Sequence, residues 1–239
     1  MLLAGPAGIG KTFMMLEMAD NLSRGEMLFG HFPVPVPVRT LLIEQEVGIY
    51  GTQERLRSKY SGEKRPPDNA WIITKNPDIT IDDPAGFERL SGVVREVDPG
   101  VLILDPITRF MVVGDESDNA AVSRVFRALD RLLVERPEMS IVLTHHFGKD
   151  PADPADAWDD LDIDRVRGAS KWRDVPDLRV MVRVEEWTAG RPKRWRTSWV
   201  PRHAARFNLA LELRNDFSIT HVEGDVGGFG TPYDEPRKK

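Results

Sequence analysis

Cysteine is absent from all 239 residues, which removes disulfide frameworks, cysteine-ligated zinc and thiol catalysis together. Long apolar runs are lacking too. No stretch approaches the roughly 20 apolar residues of a membrane-spanning helix, and Met1-Leu2-Leu3-Ala4 runs straight into glycines, so no leader is expected there. The expected compartment is the cytoplasm, with no membrane partner. What remains is 41% hydrophobic and 30% charged, the composition of one soluble domain with at most a small appendage. A chain of this length removes roughly 70% of its unfolded surface from water and needs no disulfide or structural metal to fold.

The net charge of -5 averages over a sharp segregation. Arg165 to Arg214 carries 13 Lys/Arg against 5 Asp/Glu, a net of +8, which leaves -13 for the rest. Immediately before it, the loop 150–164 holds seven Asp and no cation. Overall acidity therefore does not exclude an anionic partner.

A helical pattern follows from Lys11 to Leu22, with Met14, Met15, Met18, Ala19 and Leu22 at three- and four-residue spacing and Gly25 as a stop. Only Met1 to Ala4 precede the first glycine, too few for a full first strand. Pro33, Pro35 and Pro37 impose an extended connection. Strands are expected at Thr40–Ile43, Trp71–Thr74, Val101–Leu104 and Ser140–Thr144, and helices at Thr52–Tyr60, Ala85–Val97 and Asp118–Glu135. This alternation implies crossover units and an α/β fold with a central, mostly parallel sheet. After Asp150, shorter strands at 178–184, 194–200, 205–213 and 218–222 imply antiparallel hairpins at the C-terminal end. The domain is expected to span residues 1–223, with 224–239 a disordered tail rich in Gly and Pro.

Gly5-Pro6-Ala7-Gly8-Ile9-Gly10-Lys11-Thr12 fits the phosphate-loop pattern at every fixed position. Its glycines let backbone N–H groups converge on an anion, and the helix that follows presents its positive end to phosphates. Lys11 is expected on the β- and γ-phosphates of ATP, and the Thr12 hydroxyl on Mg²⁺. Asp105, closing a buried apolar strand, is the second Mg²⁺ partner. Glu46 lies just past a strand end, where a carboxylate can orient and deprotonate water. Glu44 competes for that role, but alternation sets it two residues deeper, where an ionised group is costly.

Thr144-His145-His146-Phe147-Gly148-Lys149 ends the last core strand at the same edge. Adjacent strand residues point to opposite faces and cannot both ligate one ion. The expectation is a γ-phosphate sensor, His145 or His146, with Lys149 available to a phosphate of its own or a neighbouring subunit.

In these residues the chain resembles the RecA-like P-loop ATPases, and within them the RepA-type hexameric helicases of plasmid and phage replication. The resemblance is carried by the phosphate loop, Leu41-Leu42-Ile43-Glu44-Gln45-Glu46, Val101-Leu102-Ile103-Leu104-Asp105-Pro106, Asp115-Glu116-Ser117-Asp118-Asn119, His145-His146-Phe147-Gly148-Lys149 and Arg167-Gly168-Ala169-Ser170, in order over residues 1–185. It implies a homo-oligomeric ring of six subunits, ATP and Mg²⁺ at subunit boundaries, a bacterial, plasmid or phage setting, and an arginine inserted from the neighbour. Arg167 and Arg179 are the candidates for that arginine. Such relatives carry a segment before the phosphate loop that completes the first strand. Here a fragment, a mis-started reading frame or a strand completed by another subunit or domain are the alternatives.

Single-stranded DNA is the partner the resemblance implies, with replication or recombination proteins beside it. The acidic loop 150–164 lies where relatives contact DNA and disfavours phosphates there. Trp172, Trp187, Trp195 and Trp199 are interleaved with arginines, and this stretch reads either as a stacking surface for single strands or as a hairpin with core tryptophans. The rival to a helicase is a KaiC-like or recombination-mediator ATPase, whose nucleotide controls assembly.

Overall fold

The computed structural model describes residues 1–61, 64–146, 166 and 168–222. Its core is one nine-stranded sheet. The strands are β1 (Leu2–Gly5), β2 (Thr40–Glu44), β3 (Ala70–Thr74), β4 (Val101–Asp105), β5 (Ser140–His146), β6 (Leu178–Thr188), β7 (Arg191–Pro201), β8 (Phe207–Leu213) and β9 (Ile219–His221). Their spatial order is β3-β2-β4-β5-β1-β6-β7-β8-β9. Strands β3 to β6 of that order run parallel, and β6 to β9 pair antiparallel. This is the expected fold class, an α/β architecture with antiparallel strands at the C-terminal end.

The first strand is short. Leu2–Gly5 forms a four-residue strand that uses the glycine as its last member. It lies mid-sheet, between β5 and β6, with Leu2 opposite both Leu143 and Arg179. All four residues are buried.

Successive strand residues feed two apolar clusters, one on each face, as alternation requires. Leu2, Leu41, Ile43, Leu102, Leu104 and Leu143 face α3 (Pro84–Val97) and α4 (Asn119–Glu135). Leu3, Leu42, Ile103, Val142 and Val182 face α1 (Lys11–Arg24) together with Trp195 and Trp199. Helix α1 stops where expected: Gly25 takes φ 69 and its N–H returns to Asn21 and Leu22 carbonyls. Among the described residues no helix is long and apolar enough to cross a membrane.

Helix α2 (Gly48–Lys59) starts four residues before the periodic pattern did. The cause is Glu44. Its buried carboxylate accepts hydrogen bonds from the N–H groups of Glu46, Val47 and Gly48, satisfying donors that a helix start leaves open. The other end of α2 is locked to α1: the Lys59 ammonium, 5% exposed, pairs with Glu17 and, at 3.3 Å, with Asp20. Tyr60 Oη donates to Asp20 at 3.0 Å and Arg24 Nε at 2.8 Å. Removing one partner of a buried ion pair strands the other charge. Lys59→Ala should therefore lower unfolding stability by about 3–5 kcal/mol in urea denaturation. A loss below about 1 kcal/mol, the scale of a surface pair, would show that the network does not hold the two helices.

Candidate functional site

The loop between β1 and α1 turns tightly, with Gly8 and Gly10 at φ 75 and 89, a region that side-chain-bearing residues enter only with strain. Pro6 and Gly10 are half-buried, Ala7 and Gly8 exposed and Ile9 buried, so the turn faces outward over an anchored base. The start of α1 adds its unsatisfied N–H groups and positive end to the same spot.

Lys11 is 6% exposed. Its Nζ donates to the carbonyls of Gly5 at 3.0 Å and Pro6 at 2.8 Å, and lies 3.2 Å from His146 Nδ1. Burial pushes its pKa down to about 8, against the opposing pull of Asp105 and then Glu46. Among the described residues this cation has no direct carboxylate partner, so it gains from an anion brought to it.

Asp105 ends β4 and is 2% exposed. Burial raises its pKa; the nearby Thr144 and Thr12 hydroxyls oppose that rise, the Glu44 charge adds to it and Lys11 counters it. Thr144 Oγ1 donates to Oδ1, while Oδ2 is buried without a hydrogen-bond partner. A hydroxyl from Thr12 beside an under-satisfied buried carboxylate fits the donor set of a hard divalent cation. Thr144 thereby joins the residues around Asp105. Its signal was a polar side chain closing the apolar run Ile141-Val142-Leu143 next to the strand of Asp105.

Glu44, the last residue of β2, and Glu46, two residues beyond it, part company. Glu44 is fully buried, and its oxygens are committed to the start of α2. The three backbone donors satisfy its buried oxygens. Glu46 is exposed beyond the strand end, and its charge reaches Lys11.

The histidines separate by face. His146 is half-buried and meets Lys11. His145 is fully buried, with its ring 4.9 Å from Trp172 and its Nδ1 2.8 Å from the His146 carbonyl oxygen. Only His146 shares a face with the phosphate loop. Through Trp172, whose Nε1 donates to the Glu116 carbonyl at 3.1 Å, His145 connects to the loop Asp115–Asn119. Ala169 N–H donates to that same carbonyl at 2.9 Å. Two segments read separately in the sequence, 115–119 and 168–172, are therefore packed together.

Arg179 opposes Leu2 at the start of β1, the end of the strand away from the loop. Its guanidinium donates to the carbonyls of Val200, at 3.3 and 3.2 Å, and Arg173, at 3.1 Å. These donors are committed within its own chain. Arg167, Lys149 and the acidic loop 150–164 lie outside the described residues, as do 224–239.

The tryptophan-rich stretch is corrected toward its second reading. Trp172, Trp195 and Trp199 are at most 4% exposed, and only Trp187, at 54%, meets solvent. Several neighbouring cations are paired, Lys193 with Glu212 at 2.7 Å and Arg196 with Glu185 at 2.5 Å within the sheet, and Arg202 with Asp177 at 3.6 Å just beyond the strand ends. Three of the four stacking platforms expected for a single strand are core.

The depressed Lys11 pKa sets a pH dependence for ATP. Bound phosphates favour the protonated amine, so the free site must take up a proton once pH exceeds its own pKa near 8. Affinity should hold steady near pH 7 and fall as pH rises through 8, by up to roughly tenfold per unit for one linked proton. ATP titrations from pH 7 to 9.5 test this, and a flat profile would contradict it.

A protein-family model described as an AAA domain matches residues 1–152, more than half of the 239. No curated protein matches the chain. With its phosphate loop, buried lysine and strand-end carboxylate at the C-terminal edge of a parallel sheet, the chain belongs to the AAA domain family of P-loop ATPases.

Proposed function

We propose that the chain hydrolyses ATP with Mg²⁺ inside a homo-oligomeric motor of the RepA type that acts on DNA. The observation that carries the reading is the contact of Lys11 with His146, which joins the phosphate-binding amine to the end of β5. Lys11 and the loop N–H groups bind and orient the phosphates. Glu46, exposed at the strand end, takes the proton of the attacking water, and Glu44 keeps the peptide units that carry Glu46 in place. Thr12 and Asp105 would hold Mg²⁺, which would neutralise charge on the phosphate oxygens. His146 lies where occupancy of the site alters its hydrogen bond to Lys11, and the adjacent His145 and Trp172 relate that change to residues 115–119. A neighbour's arginine completes the charge stabilisation. Arg167 is the better candidate in this reading, since the donors of Arg179 are engaged.

The second reading, a KaiC-like or recombination-mediator ATPase that controls assembly, is favoured by the burial of Trp172, Trp195 and Trp199, which removes stacking surface from the basic stretch. ATP hydrolysis measured with and without single-stranded DNA over a salt series separates the two. The motor reading expects DNA to stimulate turnover, with stimulation lost steeply as salt rises. Glu46→Gln should cut turnover about 10²- to 10⁴-fold while sparing ATP binding. Turnover indifferent to DNA at low salt supports the assembly reading, and full activity in Glu46→Gln removes the assigned base.

A further inference from the structure

Trp195 lies on β7, separated from Ile9 by 186 positions in sequence, yet its indole Nε1 donates to the Ile9 carbonyl at 2.6 Å. The side chain is 1% exposed and belongs to the apolar cluster beneath α1. The Ile9–Gly10 peptide is trans, so its C=O and N–H point in opposite directions across one rigid plane. Holding the Ile9 oxygen toward the apolar interior therefore holds the Gly10 N–H away from it, toward the side where the loop gathers its donors. Gly10 itself is at φ 89, and a Cβ there would come within 3.2 Å of the Trp195 ring and 3.6 Å of Pro192. The indole thus packs against the peptide it bonds. A flipped peptide would aim a carbonyl oxygen at the phosphates and leave the indole N–H buried without an acceptor.

We infer that Trp195 is a positioning residue for the phosphate loop, fixing the Ile9–Gly10 peptide so that its N–H serves the nucleotide; this rests on the reading of the loop as an ATP site. The comparison that separates positioning from mere core filling is built into the same strand. Trp199 faces the same cluster at 4% exposure, but its Nε1 donates to Thr197 Oγ1 at 2.8 Å and not to the loop. Both tryptophans fill core, and only Trp195 touches the loop backbone.

The test compares the full chain with its Trp195→Phe and Trp199→Phe variants, titrated with a fluorescent ATP analogue and Mg²⁺ at a temperature where all are folded by circular dichroism. Both substitutions lower the melting temperature. Trp195→Phe should weaken binding about tenfold, equivalent to ~1.4 kcal/mol, and raise KM similarly with kcat within about threefold. Trp199→Phe should leave affinity within about twofold of wild type, well short of one hydrogen bond. Replacing Trp195 with benzothienylalanine keeps the ring shape and deletes only the N–H. It should reproduce the loss, and it carries the test if the Phe variant does not fold. Wild-type affinity after deletion of the N–H, or an equal loss in Trp199→Phe, overturns this inference alone. Wild-type protein that binds no nucleotide overturns the ATP-site reading and the inference together.

Discussion

The Lys11 ammonium is buried where the central strand ends, and the rest of the site is arranged around that cation. Removing an ammonium from water is costly, and among the described residues its contacts are the carbonyls of Gly5 and Pro6 and one imidazole nitrogen, with no contacting carboxylate. That is enough to keep the amine in place and too little to restore its ordinary pKa. A phosphate would supply the missing counter-charge. The folded chain therefore holds its binding energy for anions in an under-compensated group at a fixed position, as perturbed groups in functional sites commonly do.

Three carboxylates stand at the same sheet edge and do different work because their surroundings differ. Asp105 and Glu44 are register partners on adjacent strands, both buried. Glu44 spends its oxygens on the N–H groups opening α2. Asp105 keeps one oxygen free of hydrogen bonds, beside the Thr12 hydroxyl. Glu46, two residues past Glu44, is in solvent. The cap formed by Glu44, the proposed Mg²⁺ partner Asp105 and the proposed base Glu46 thus differ in depth and donor supply rather than in residue type.

The phosphate loop was legible in the sequence because its geometry is local: eight consecutive residues carry the turn, the donors and the lysine. The parallel core was legible because strands buried on both faces read as apolar runs at 41–43, 101–104 and 141–143. What was not legible lies in long-range pairing. Periodicity put Trp195 and Trp199 on one strand face but could not say whether that face meets solvent or a helix. Burial against α1 settled it. Nor did alternation reveal that Glu44 would find three backbone donors, since those belong to a helix that starts earlier than its own apolar pattern. The choice between His145 and His146 likewise needed β5 to run through both residues before their faces were fixed.

The measurement that bears most directly on this account is the titration of Lys11 itself, followed by NMR through its ¹³Cε shift in free protein and with ADP and Mg²⁺. The account predicts a midpoint near 8 in the free protein, displaced upward toward or beyond the ordinary lysine range of about 10.4 once phosphates are bound. A midpoint already at the ordinary value in the free protein, unmoved by nucleotide, would contradict it.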